Sequence, residues 1–217
     1  MLSREDEIIL NQYKMIVDMI GLFFKDSVEV VLHSLDNLEK SVIHIHNGQK
    51  TARCIGSPVT DKALKIIAEY KASKKKLFGP YKTISHDGHV MKSVTTVIVN
   101  ADGEAIGMLC MNLDLQTPVQ DLFKILCEDF VQNPDNVNSD NEYFASDIHD
   151  LLSTSVNQIR RQILDDDSIA QRQKNKAIII ELQKQGLFNL RNAVPIISEI
   201  LNLSKDAIYL HLRALKK

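Results

Sequence analysis

The sequence predicts an α+β chain: an antiparallel sheet with helices on one face, followed by an all-α region. Three observations carry this. Short β-branched runs cluster between Val28 and Leu113, two Asp-Gly pairs punctuate their second half, and beyond a polar stretch the apolar pattern turns helical throughout. With 217 residues, 44% hydrophobic and 25% charged, the chain has the length and apolar content of an ordinary globular protein of one large or two modest domains.

The elements follow in order. Tyr13, Ile16, Val17, Ile20 and Phe24 recur at helical spacing and predict an amphipathic N-terminal helix. Strands are expected over Val28–Leu35, Ser41–His46, Tyr81–Ser85, His89–Asn100 and Glu104–Leu113. Asn47-Gly48, Asp87-Gly88 and Asp102-Gly103 fill three of the gaps with pairs that tolerate the positive φ of tight turns, and the last two predict a three-strand meander. Pro58–Lys76 reads as a helix with Leu64, Ile67 and Ala68 on its apolar side. One helix, two strands, a helical excursion and three strands give a PAS-like order with a small cavity between helices and sheet. A mixed α+β domain with a filled core satisfies the same pattern.

Val131–Asn141 (VQNPDNVNSDN) has almost nothing to bury and reads as a linker. Ile148, Leu152, Ser155, Ile159 and Ile163 then space a helix that ends at Asp165-Asp166-Asp167; it either joins two protomers or packs within its own chain. The expected organisation is therefore a PAS-like sensor domain at 1–130, a linker at 131–146, a connecting or dimerisation helix at 147–167 and an all-α domain at 168–217.

Charge is unevenly distributed. Ala170–Lys217 holds nine Lys or Arg against three acids, whereas the preceding residues hold 17 against 25. The basic C-terminal part is the one suited to a polyanionic partner.

That part also holds the strongest motif. Two short amphipathic helices meet at Asn202-Leu203-Ser204, the corner of a helix-turn-helix (HTH). Asn192 is expected to cap the first helix, which admits Pro195 in its first turn and buries Val194, Ile197 and Leu201. Asn202 suits the left-handed corner, and Ser204 caps the second helix, with Leu203 and Ile208 as a hydrophobic staple. Ile208, Leu212 and Leu215 should point inward. Ser168–Gly186 supplies a supporting helix, with Gly186 past its end. The residues expected at double-stranded DNA are Ser204, Lys205, Asp206, Tyr209, Leu210, Arg213, Lys216 and Lys217. Arg and Lys reach guanine or phosphate, Asp accepts from cytosine, and Leu touches a thymine methyl. The alternative is a sensor or adaptor whose C-terminal helices bind protein.

Along most of its length the chain resembles the YheO-like regulators. The resemblance rests on VEVVLHSL (28–35), SVIHIHNGQKTARCIGSPVTD (41–61), HVMKSVTTVIVNADGEAIGMLCMNLD (89–114) and GLFNLRNAVPIISEILNLSKDAIYLHL (186–212). It implies a transcription regulator that joins a PAS-like domain, sensing a small ligand, to a C-terminal HTH. The sequence departs from the family pattern at Asn192, Ser198 and Asn202, where Gly or Ala is usual.

Polar residues interrupt the apolar strands at Ser93, Thr95, Thr96, Asn112 and Asp114. Ser93, Thr95, Asn112 and Asp114 are the candidate contacts to a small polar metabolite; the other reading has them face solvent or satisfy backbone groups. Enzymatic activity is not expected, since no GxSxG, HExxH or phosphate-cradling glycine loop is present. Neither is a metal or other cofactor: His44 with His46, and His86 with His89, lack a third ligand nearby. Three widely spaced cysteines, Cys54, Cys110 and Cys127, suit reduced thiols. With no signal peptide or bilayer-length apolar run, the expectation is a soluble, cytoplasmic homodimer with no membrane partner.

Overall fold

The computed structural model describes residues 2–131 and 143–215. The chain forms two compact units, residues 1–136 and 137–217. Most of the expected linker lies outside the described residues, as do Lys216 and Lys217.

The first unit is a five-stranded antiparallel sheet with helices. α1 (Arg4–Phe24) leads into β1 (Val28–Ser34) and β2 (Val42–His46); α2 (Asp61–Ser73) follows, then β3 (Leu77–Ile84), β4 (Val90–Val99), β5 (Ala105–Asp114) and α3 (Val119–Val131). The strand order is β2-β1-β5-β4-β3, so the expected meander β3-β4-β5 joins the β1-β2 pair through β5. Gly88 and Gly103 adopt φ of 80° and 76° in the meander turns. Asn47 is also left-handed, but it begins a 3-10 turn at Gly48–Thr51, and its side chain donates to the Lys25 and Val28 carbonyls.

α1 starts in a capping box: the Ser3 hydroxyl accepts from the Asp6 amide, and the Asp6 carboxylate accepts from the Ser3 amide. These bonds, the Ser3 backbone contact foremost, hold the Asp6 carboxyl below its usual pKa. Leu10 and Val17 bury against Val28, Val30, Leu32, Ile98 and Ile106 on one sheet face. The approach is close: a Cβ at Gly107 would stand 2.5 Å from Leu10 Cδ2, and one at Gly21 would stand 2.4 Å from the His46 ring.

α2 covers the opposite face, so α1 and α2 flank the sheet rather than sharing one side. It buries Ala63, Ile66 and Tyr70 against Phe78, Val97 and Met108. The expected stripe Leu64–Ile67–Ala68 is thus rotated: Leu64 and Ala68 are exposed and Ile67 is half-buried. Tyr70 sets this rotation, because its hydroxyl donates to the Gly103 carbonyl in the β4–β5 turn while its ring enters the core. α3 is absent from the sequence reading, although Pro118 followed by Leu122, Phe123 and Leu126 marks a helix start and spacing.

The second unit is all-α: α4 (Ile148–Asp165), α5 (Lys174–Lys184), α6 (Ala193–Leu201) and α7 (Lys205–Ala214). α4 begins at Asp147, whose side chain accepts from the Asp150 amide. Its apolar face, Leu152, Val156 and Ile159, is buried with Ile178, Ile179 and Leu182 of α5 and Ile197 and Ile208 of the last two helices. Of the two readings of this helix, packing within its own chain accounts for that face. Lys174 is buried, donating to the Leu164 carbonyl near the end of α4, so one charge of the basic excess serves the fold. Gly186, left-handed at φ 77°, follows α5 as expected.

Candidate functional site

Among the described residues, each unit carries a candidate site. In the helical unit, α6 ends in a Schellman motif centred on Asn202, left-handed at φ 51°. The Leu203 amide donates to the Ser198 carbonyl at 3.0 Å and the Asn202 amide to the Glu199 carbonyl at 3.2 Å. Ser198 adds a bond of its own, its hydroxyl donating to the Leu203 carbonyl at 2.7 Å. Two departures from the family pattern, Ser198 and Asn202, therefore stitch the corner. The third differs from expectation: Asn192 is left-handed at φ 61° and its side chain makes no cap bond. The Ala193 amide donates instead to the Leu190 carbonyl at 3.2 Å.

Beyond the corner, the Ser204 hydroxyl accepts from the Ala207 amide at 3.1 Å and starts α7. Leu203 and Ile208 join the same apolar core, as a staple requires. Ile208 is fully buried and Leu212 half-buried, but Leu215 is exposed: it stands beyond the last helical turn, past the core. On α6, Ala193 and Ile197 are the buried residues, with Val194 and Leu201 half-buried. Ser204, Lys205, Asp206, Tyr209, Leu210 and Arg213 are all exposed, and 68% of Leu210 is open. At α-helical spacing, Asp206, Tyr209, Leu210 and Arg213 share one outward face of a helix held at both corner and cap.

In the sheet unit, register builds the second site. Glu29 on β1 pairs with Asn112 on β5, Asn112 with Ser93 on β4, and Ser93 with Tyr81 on β3. These four side chains stand in one row on the α2 face. Glu29 is wholly buried and fully bonded: Arg53 Nη2 donates to Oε2 at 2.6 Å, Asn112 Nδ2 to Oε2 at 2.7 Å, and the Thr51 hydroxyl to Oε1. Arg53 Nε also donates to the Thr51 hydroxyl at 2.9 Å. The 3-10 turn after β2 is thereby tied to the sheet floor.

Beside this cluster lies a cavity of about 440 Å³, lined by His33, Arg53, Tyr81, Met91, Cys110 and Asn112 among others. Its size falls within the range of about 300–1,000 Å³ typical of small-molecule sites. Burial drives the His33 pKa down to about 4, with the Arg53 charge adding to it, so the ring is neutral near pH 7. Burial likewise pushes the Cys110 thiol and the Tyr81 phenol up.

Of the four sequence candidates, Asn112 lines the cavity. Ser93 and Thr95 are buried on the same face with their hydroxyls engaged, Ser93 with Thr83 at 2.6 Å and Thr95 with Tyr81 at 2.7 Å. Asp114, further along β5, accepts from the Gln116 amide and contacts Lys50 and His89, each at 3.3 Å. Burial raises its pKa, but the Gln116 amide, His89 and Lys50 together outweigh that and hold it below the usual range. The sequence reading misses Glu29, His33, Thr51, Arg53 and Tyr81. The one available signal is Glu29 itself, an acid within the apolar run Val28–Leu32.

A sheet domain of this order joined to a capped HTH is the architecture of a DNA-binding regulator. The YheO-like PAS domain matches residues 3–128 and an HTH domain matches residues 155–213. The chain belongs to the YheO-like family. It is 34% identical over 210 residues to the uncharacterized protein YheO of Escherichia coli K12, covering 96% of this chain and 85% of that one. An uncharacterized protein of Haemophilus influenzae is 33% identical over 213 residues, covering 98% and 94%. The transcriptional regulator DauR of Pseudomonas aeruginosa is 26% identical over 208 residues, covering 96% and 95%. No described helix is long and apolar enough to cross a membrane.

Proposed function

We propose that this protein is a homodimeric transcription regulator whose α7 enters the major groove of duplex DNA and whose sheet domain senses a small polar metabolite. The observation that carries the DNA reading is the outward face of α7, where Tyr209, Leu210 and Arg213 stand exposed on the second helix of a stitched corner. Ser204, Lys205 and Asp206 at its start, with Lys216 and Lys217 beyond its end, complete the proposed contact set. The name carried by the Pseudomonas relative accords with this role.

A second copy of the chain is proposed because one short HTH reads only a few base pairs, and two-fold pairing doubles the contacts. With the α4 face buried in its own unit, the proposed seam lies on the sheet domain, where α1 leaves Met15, Met19, Leu22 and Phe23 exposed. Sensing is proposed for the cavity that Asn112 lines, with Ser93 and Thr95 bonded to its lining residues Thr83 and Tyr81, and Asp114 kept as a proposed contact.

The test is fluorescence anisotropy of the full chain with labelled duplexes at several salt concentrations. Affinity should fall as salt rises, because neutralised phosphates release counterions. Arg213→Ala should weaken binding by about 1–3 kcal/mol if Arg213 reads a base edge. Salt-insensitive or absent binding would favour the adaptor reading, in which Tyr209 and Leu210 dock on protein.

A further inference from the structure

Resting on the sensing reading, we propose that the cavity of the sheet unit takes a small organic acid, its carboxylate held by Arg53 and its hydroxyl or amino group by His33 and Asn112. Three observations lead there.

The first concerns Arg53. Its Nη2 is fixed on Glu29 and its Nε on Thr51, whereas Nη1 makes no hydrogen bond among the described residues. The side chain is only 17% exposed and lines the cavity. A guanidinium clamped at two nitrogens is held rigid and keeps three N–H donors, two on Nη1 and one on Nη2, and the Nη1–Nη2 edge suits a bidentate carboxylate.

The second concerns unfilled acceptors. The Ser41 hydroxyl donates its hydrogen to the Ser34 carbonyl, so at 2.9 Å from Ser41 it is His33 Nδ1 that donates. His33 Nε2 is then a bare lone pair on a side chain that lines the cavity. Asn112 gives its amide nitrogen to Glu29, and its carbonyl oxygen has no partner among the described residues. A ligand that fits offers donors to both, as a hydroxyl or an amino group does.

The third is charge. Glu29 is neutralised by Arg53, and the lining acid Asp61 lies 3.7 Å from Lys65, outside the lining. Lys62 and Lys82 also line the cavity, Lys62 lying over the Tyr81 ring, so the lining favours an anion over an amine. The start of α2, Thr60 to Lys62, also lines the cavity, and the positive end of that helix adds to the preference for an anion.

The test is calorimetric titration and thermal shift of the full chain with four sets of probes: 2-hydroxy and 2-amino acids, their primary amides, alkylamines, and neutral nucleosides and sugars. At least one acid should bind, with its amide at least tenfold weaker, and Arg53→Lys and Lys62→Ala should each weaken the acid and not the amide. Because Arg53 also anchors buried Glu29, the acid–amide comparison in the unaltered protein stands without that variant. If acid and amide bind equally, or an amine or nucleoside binds while every acid fails, the organic-acid assignment is overturned and sensing survives. If no probe of any class binds, both readings are overturned.

Discussion

His33 should make the sheet unit lose stability between pH 7 and pH 5. The ring is 1% exposed, and its pKa is held at about 4 against an ordinary 6.5. In the folded unit it stays neutral, while the unfolded chain takes up a proton as the pH falls through 6.5. Stability is therefore complete above that value and declines until the folded ring protonates near pH 4. Linkage gives a loss of about 2 kcal/mol from pH 7 to pH 5, out of about 3 kcal/mol once the pH is below 4. The depressed Asp114 carboxyl contributes stability that is lost only below its ordinary 3.8, outside this window. His33→Asn places an amide nitrogen near Nδ1, keeps a donor for Ser41 and removes the titration. The assay is urea-dependent pulse proteolysis of the full chain, following cleavage within residues 28–46 by mass spectrometry at both pH values. Wild type should lose about 2 kcal/mol more than the variant across the window. Equal losses in both proteins, or a His33 ring that titrates near 6.5 by NMR, would refute the buried neutral histidine.

Other expectations follow from the same packing. Ile208→Ala, which empties a fully buried site in the helical core, should destabilise that unit by about 2–5 kcal/mol in denaturant titrations and leave proteolysis of residues 28–46 unchanged. Ser204→Ala, which removes the cap of α7, should cost about 1 kcal/mol by the same measurement and weaken DNA binding without changing its salt dependence. Leu22→Lys on the exposed α1 face should turn a dimer into a monomer by light scattering; an unaltered mass for this variant would place the seam elsewhere.

The parts legible in the sequence are those governed by local rules. The corner at Asn202, the cap at Ser204 and the staple of Leu203 with Ile208 each depend on residues within six positions, and each is found as expected. The meander was legible through Gly88 and Gly103, because positive φ is a property of the residue itself. The α2 face was not, since its rotation is set by a hydrogen bond from Tyr70 to Gly103, 33 residues away. Asn192 misled because a residue type favoured at caps adopted the left-handed backbone it also favours. Of the Glu29 cluster only Glu29 itself leaves a sequence signal, for a related reason. Its partners lie 22, 24 and 83 residues along the chain, and only the β1–β5 register brings Asn112 beside it.

Dimeric reading of DNA by α7 is tested by selection of the full-length protein on a library of randomised duplex DNA, followed by sequencing. A motif with two-fold symmetry should be enriched, its half-sites about 10 base pairs apart centre to centre or a multiple of that, with Arg213→Ala altering the preferred bases in both halves. Enrichment of no motif at all, or of one unchanged by substitutions at Leu210 and Arg213, would contradict it.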